Sequence, residues 1–178
     1  MSSKVWLITG SSSSLGSEFV KAALDPGGKR IATVPQVDTI AIYETRDTGA
    51  STMLIDVTAT QRELNDIANK AVSVYGQIEV LVSNAGYTQF GTVEETSHVD
   101  WFRKFNTNDF GALNTTSSFL PHLRSNKSGT IVFIGSMVAW DGVPTVGAYC
   151  ASEALLYTEG VECVNDVVEG EKDIAGKE

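Results

Sequence analysis

Near the end of this chain, "YCASE" (Tyr149 to Glu153) carries two groups able to do chemistry. On a helix this spacing puts a phenol and a carboxylate one turn apart on one face. A phenol, with an ordinary pKa of about 10, moves protons near neutral pH only where a neighbour eases its ionisation. A positive charge does that, but the neighbour at 153 is negative. A second candidate is "TGSSSSLG", Thr9 to Gly16, between an apolar run and a helical one. A glycine- and serine-rich turn at a helix N-terminus presents unpaired backbone N–H groups and the positive end of the helix dipole, which suits a phosphate. No Gly-Lys-Ser/Thr follows, so it is not a P-loop, and the G-x-G-x-x-G spacing is absent. No G-x-S-x-G elbow supports a serine hydrolase. His98 and His122 lack metal-ligand partners in the sequence and read as surface residues.

Elements that could position these groups alternate along the chain. "KVWLITG" reads as a buried strand entering the glycine turn. Leu15, Phe19, Ala22 and Ala23 recur at helical spacing up to "DPGG". "RIATV" and "TMLIDV" are further strands. Leu64, Ile67, Ala68, Ala71 and Val74 predict a helix from Gln61 to Gly76, and "IEVLVSNAG" a fourth strand. Val99, Phe102 and Phe105 open a helical region that runs irregularly to Leu120. "GTIVFIGS" is a fifth strand, and a last helix begins near Tyr149 and fades by Gly170. Apolar strands separated by helices imply an α/β fold with a parallel sheet covered on both faces. Gln36 to Ser51 fits neither pattern. The chain reads as one domain over 1–170 with a polar tail, 171–178.

The 178 residues carry a net charge of -9, which disfavours binding to nucleic-acid phosphates. The N-terminal apolar run is shorter than the ~7–15 residues of a signal-peptide core, and no run approaches the ~20 residues of a membrane span. The expectation is a cytoplasmic protein with no membrane partner. Cys150 and Cys163, about 20 Å apart on one helix, cannot pair. Asn114 and Asn126 match a glycosylation pattern that carries no weight without export.

Several segments occur in one order: the Thr9–Gly16 turn, "NAG" at Asn84–Gly86, "NTNDFG" at Asn106–Gly111, "GSMVAW" at Gly135–Trp140, and Tyr149. Together they resemble the short-chain dehydrogenase/reductase family from about Lys4 to Gly160. The resemblance implies a Rossmann-type doubly wound sheet binding NAD(P) at the carboxyl ends of its strands. The family turn, T-G-x-x-x-G-x-G, is matched by Thr9, Gly10 and Gly16. Its middle glycine is replaced by Ser14, which narrows the approach to the pyrophosphate. Ser12 and Leu15 belong to the same turn. Asp56 and Val57 match the adenine-contacting position, and Asn84, Ala85 and Gly86 the motif beside the cofactor ribose. "TVPQ" ends the second strand without the acid that favours NAD, which tilts the expectation slightly to NADP(H).

By the same resemblance Tyr149 is the acid/base, Ser136 orients the carbonyl and Asn108 is the relay asparagine. The family's lysine position is held by Glu153. At ~5 Å and an effective dielectric of about 20, one unit charge is worth about 3 kcal/mol, so exchanging plus for minus predicts impaired chemistry. With no other Lys or Arg identifiable as a substitute, Glu153→Lys alone is expected to raise turnover. "MVAWDGVPTVGA" is expected to wall the pocket, with Trp140, Val143 and Pro144 suiting a small, fairly apolar carbonyl or alcohol. The helices from Asn106 and Tyr149 correspond to those that pair subunits, implying a homodimer. The family's last two strands have no counterpart after the tyrosine helix, suggesting a truncated or mis-spliced product, a degenerate paralogue or a fragment completed by a partner. The alternative to an oxidoreductase is a non-catalytic nucleotide-binding or interaction module.

Overall fold

A computed structural model describes residues 4–12, 14–23, 28–36 and 50–168. The strands are β1 (Val5–Ile8), β2 (Lys29–Val34), β3 (Ser51–Leu54), β4 (Val80–Ser83) and β5 (Thr130–Phe133). The α-helices are α1 (Ser14–Ala22), α2 (Gln61–Tyr75), α3 (His98–Phe105), α4 (Gly111–Ser125) and α5 (Gly147–Val168). A π-helical turn, Asn106–Phe110, joins α3 to α4, and a short 3-10 turn, Met137–Ala139, follows β5.

The five strands are parallel in the order β3-β2-β1-β4-β5. This is the Rossmann-type α/β fold expected from the sequence. Strand alternation sends neighbouring side chains to opposite faces. Val5, Leu7, Ile31 and Leu81 pack with Leu64, Ala68 and Ala71 of α2 and Phe119 of α4. Ile8, Ala32, Val34, Val80 and Val82 pack with Val20 and Phe19 of α1 on the other face. Strand order reverses between β1 and β4, so a crevice opens where their carboxyl ends diverge.

Local chemistry sets several boundaries. β3 stops at Leu54, before the expected Asp56–Val57, because Asp56 accepts hydrogen bonds from the Thr58 backbone N–H (2.9 Å) and hydroxyl (2.7 Å). That closes an Asx turn which competes with the strand. α2 begins in a capping box of Thr60 and Glu63 and ends at Gly76, whose φ of 83° suits glycine. The last helix starts at Gly147, slightly before the expected Tyr149. The unplaced stretch from Gln36 to Ser51 falls mostly on 37–49, outside the described residues, as does the tail 171–178. Cys150 is a free thiol. No helix among the described residues is long and apolar enough to cross a membrane.

The largest departure concerns α3. Val99 and Phe102, two of the residues whose spacing predicts this helix, are exposed, and the residue the helix buries is Lys104. Its inward face runs Trp101, Lys104, Phe105, with Trp101 stacked on Phe105. The π turn that follows widens the helix by one residue and buries Asn108.

Candidate active site

The glycine turn is latched to β4 through one threonine. Thr9 Oγ1 accepts from the backbone N–H groups of Asn84 (2.9 Å) and Ala85 (3.0 Å). The Asn84 amide donates to the carbonyls of Thr9 (3.0 Å) and Gly10 (3.1 Å). "TG" and "NAG" therefore form one structural unit. Gly10 has φ 63°, and a Cβ on Gly16 would stand 2.3 Å from the Gly10 carbonyl oxygen. Only glycine fits there. Ser14 is the first residue of α1 and Ser12 lies half-buried in the turn before it. An α-helix leaves the N–H groups of its first turn without partners further along the helix, the arrangement that suits a phosphate.

Beside this turn is a cavity of ≈ 260 Å³. Ser136, Tyr149, Asn108 and Glu153, drawn from three separate stretches of sequence, line it together with Leu15, Asn84, Ala85 and Gly86. Thr9, Gly10 and Gly16 shape the turn rather than the cavity wall. Asp56 is exposed beyond β3, and Val57 is buried in the core. Trp140, Val143 and Pro144, expected to wall the pocket, are exposed and do not line it. Trp140 instead packs edge-on against Tyr157, 4.3 Å between ring centroids. His98 is exposed at the start of α3, and His122 is half-exposed in the last turn of α4. A long dinucleotide fits this arrangement. The N-terminus of α1 would meet its phosphates, and the cavity would take its ring end beside Asn84–Gly86.

Asn108 ties the site together. Its Oδ1 accepts from the Tyr87 backbone N–H (3.1 Å), and its amide donates to the Tyr87 carbonyl (3.2 Å), Ser152 Oγ (3.4 Å) and Glu153 Oε1 (3.3 Å). The Ser152 hydroxyl donates in turn to the Tyr149 carbonyl (2.9 Å). Ser136 caps the 3-10 turn, accepting from the Val138 backbone N–H (3.4 Å), while facing the cavity.

Glu153 is 5 % exposed and its Oε2 has no well-formed hydrogen bond. Burial pushes its pKa up. The charge of Lys104, the Asn108 amide and the Ser136 backbone N–H pull the other way. Lys104 is fully buried, and burial drops its pKa to about 8 against the opposing pull of Glu153. Its ammonium makes no hydrogen bond and lies over the rings of Tyr87 (4.2 Å) and Tyr149 (4.5 Å). The sequence identifies no other Lys or Arg near the tyrosine, and the structure places one there. A buried lysine stands behind the tyrosine, on a different helix. A sequence signal existed: Lys104 lies four residues before Asn108, on the same face as Trp101 and Phe105. Lysine is rarely fully buried, which concealed it.

This pair lowers stability at neutral pH. Glu153, with its folded pKa raised, contributes stability below the unfolded value of about 4.3 and loses it as pH rises through the folded pKa. Lys104, with its folded pKa lowered, contributes stability above the unfolded value of about 10.4 and loses it as pH falls through about 8. At pH 7 both penalties apply. The double substitution Lys104→Met with Glu153→Gln is expected to stabilise the fold by about 1–3 kcal/mol at pH 7 and to flatten its stability between pH 5 and 9. Urea melts across that range check it.

The comparisons with known proteins point the same way as the geometry. A family model described as short chain dehydrogenase matches residues 4–157. The chain belongs to this family. A short-chain dehydrogenase from Streptomyces avermitilis superposes with a TM-score of 0.86 at 31 % identity, covering 94 % of this chain and 61 % of that one. The oxidoreductase BOA17 of Botryotinia fuckeliana is 32 % identical over 82 % of this chain and 54 % of its own length. The 3-oxoacyl-acyl-carrier-protein reductase FabG of Thermotoga maritima is 30 % identical over 85 % of this chain and 63 % of its own. The chain thus spans about half to two thirds of the length of these relatives.

Proposed function

We propose that this short-chain dehydrogenase homologue is an NAD(P)-dependent oxidoreductase acting on a small carbonyl or secondary alcohol. The observation that carries this reading is the meeting of Ser136, Tyr149 and Asn108 with Asn84–Gly86 in one cavity at the sheet's switch point. The nicotinamide nucleotide, when bound, would supply the hydride for carbonyl reduction or accept it in alcohol oxidation. Tyr149 exchanges a proton with the substrate oxygen, and Ser136 hydrogen-bonds the same oxygen and orients it. Asn108 holds the helix carrying Tyr149 against the loop after β4. The N–H groups opening α1, in the turn of Ser12, Ser14 and Leu15, hold the pyrophosphate. The Thr9–Asn84 latch keeps that turn in place, and Asp56 with Val57 flanks the adenine. The lack of an acid at the end of β2 favours NADP(H) slightly over NAD(H). The substrate class follows from the family, and FabG, named for reduction of an oxo group, is one member of that class. A cytoplasmic homodimer completes this reading.

A second reading, a nucleotide-binding module without turnover, is favoured by one observation: a buried carboxyl at 153 lines the cavity. Calorimetric titration with NADPH and NADH, followed by turnover on a panel of aldehydes and ketones, separates the two. Binding with turnover supports the enzyme, and binding without turnover supports the module. Failure to bind either nucleotide overturns both.

A further inference from the structure

Lys104 is the least expected side chain in the molecule. It is fully buried, its ammonium has no hydrogen-bond acceptor, and it lies between two aromatic rings rather than against solvent. A buried, unbonded ammonium loses its hydration, a large penalty for an ion. Cation–π contact returns only part of it. A methionine of similar length would fill the same space at no such cost, so packing alone does not account for a lysine.

What surrounds Lys104 gives it a purpose. One of its two rings belongs to Tyr149, and its electrostatic partner is Glu153. Both of those residues line the cavity, and Lys104 does not. The groups around Glu153 are Asn108 from the π turn, Ser152 and Tyr149 from α5, and the Ser136 backbone after β5. Among the described residues, the only cation acting on it is Lys104, from α3. Without it, a buried carboxyl met only by the Asn108 amide and the Ser136 backbone N–H would take up a proton more readily than hold a charge.

We propose that Lys104 is a positioning residue that supplies from behind the cavity the positive charge α5 lacks at position 153, so that Glu153 offers an ionised carboxylate to a hydroxyl of the bound ligand. Taking that ligand to be the ribose of a nicotinamide nucleotide rests on the function proposed above. The placement of Lys104 does not. Glu153 lines the cavity and its Oε2 is buried without a well-formed hydrogen bond, so the carboxylate keeps unused acceptor capacity. Position 153 then holds the sugar by accepting hydrogen bonds where an ammonium would donate them. The charges of the site are exchanged between two helices rather than lost.

The test reads the Glu153 carboxyl directly. In protein labelled with ¹³C at glutamate carboxyls, the resonance missing from Glu153→Gln identifies it. In Lys104→Met this resonance is expected to titrate at least about one pH unit higher than in the unsubstituted chain. Lys104→Arg is expected to titrate like the unsubstituted chain, and Lys104→Gln serves as a second neutral variant. NADPH affinity at pH 7 is expected to fall about tenfold in Lys104→Met and to recover as pH is raised. A carboxyl that titrates at the same pH in the neutral variants and the unsubstituted chain overturns the proposal. A moved resonance in a chain that never binds NADPH supports the role of Lys104 and overturns the dinucleotide reading instead.

Discussion

Glu153→Lys is expected to raise carbonyl-reductase turnover only when Lys104→Met is made in the same chain. The sequence alone favours the single substitution, because it restores an ammonium one turn after the tyrosine. The structure changes that expectation. A lysine at 153 would face the buried Lys104 and leave the Asn108 amide without its Glu153 acceptor. Uncompensated charge in such a place typically costs about 3–5 kcal/mol, a large part of the stability of a small domain. The single variant is therefore expected to unfold at markedly lower urea concentration and to gain no turnover. The double variant keeps one cation, now on the cavity wall beside Tyr149. It is expected to exceed the unsubstituted chain by about tenfold or more, since about 1.4 kcal/mol at the transition state is one decade. Steady-state rates with both nucleotides, alongside urea melts, decide it. Equal gains in single and double variants would show that Lys104 has no electrostatic part in the site.

The second large effect belongs to Tyr149. Tyr149→Phe removes one oxygen and keeps the ring that covers the Lys104 ammonium at 4.5 Å. Folding should be little changed. Turnover is expected to fall by about 10²–10⁴, the usual contribution of a positioned acid/base, while NADPH affinity changes less than about threefold. Ser136→Ala is expected to cost less than Tyr149→Phe, because it removes orientation but leaves the proton donor. A Tyr149→Phe variant as active as its parent would place the proton donor elsewhere. Loss of NADPH binding in that variant would mean that Tyr149 serves the nucleotide rather than the substrate.

Much of this was legible in the sequence, for physical reasons. Strands buried on both faces leave continuous apolar runs, so "VWLI", "RIATV" and "VLVS" announced themselves. Gly10, Gly16 and Gly76 were readable because backbone geometry or close approach demands glycine there. Tyr149, Ser136 and Asn108 could be found by register, and the fold brings them into one cavity.

What stayed hidden depended on tertiary contact. α3 was read by its aromatic residues, yet Phe102 is exposed and Lys104 is buried. Periodicity gives a helix's faces but not which one turns inward when a long amphipathic side chain can occupy either. Trp140 misled for a related reason. It follows Ser136 closely, but the 3-10 turn carries it away from the cavity onto Tyr157. The partner of Glu153 came from another helix, forty-nine positions earlier, where no local pattern could reveal it.

The most direct test of the central claim is calorimetric titration of the purified chain with NADPH and NADH at pH 7. The account predicts saturable binding at one site per chain, tighter for NADPH, and abolished by Gly16→Val, whose side chain would collide with the Gly10 carbonyl at the turn. Heat changes indistinguishable from dilution for both nucleotides, in a chain shown to be folded, would contradict it.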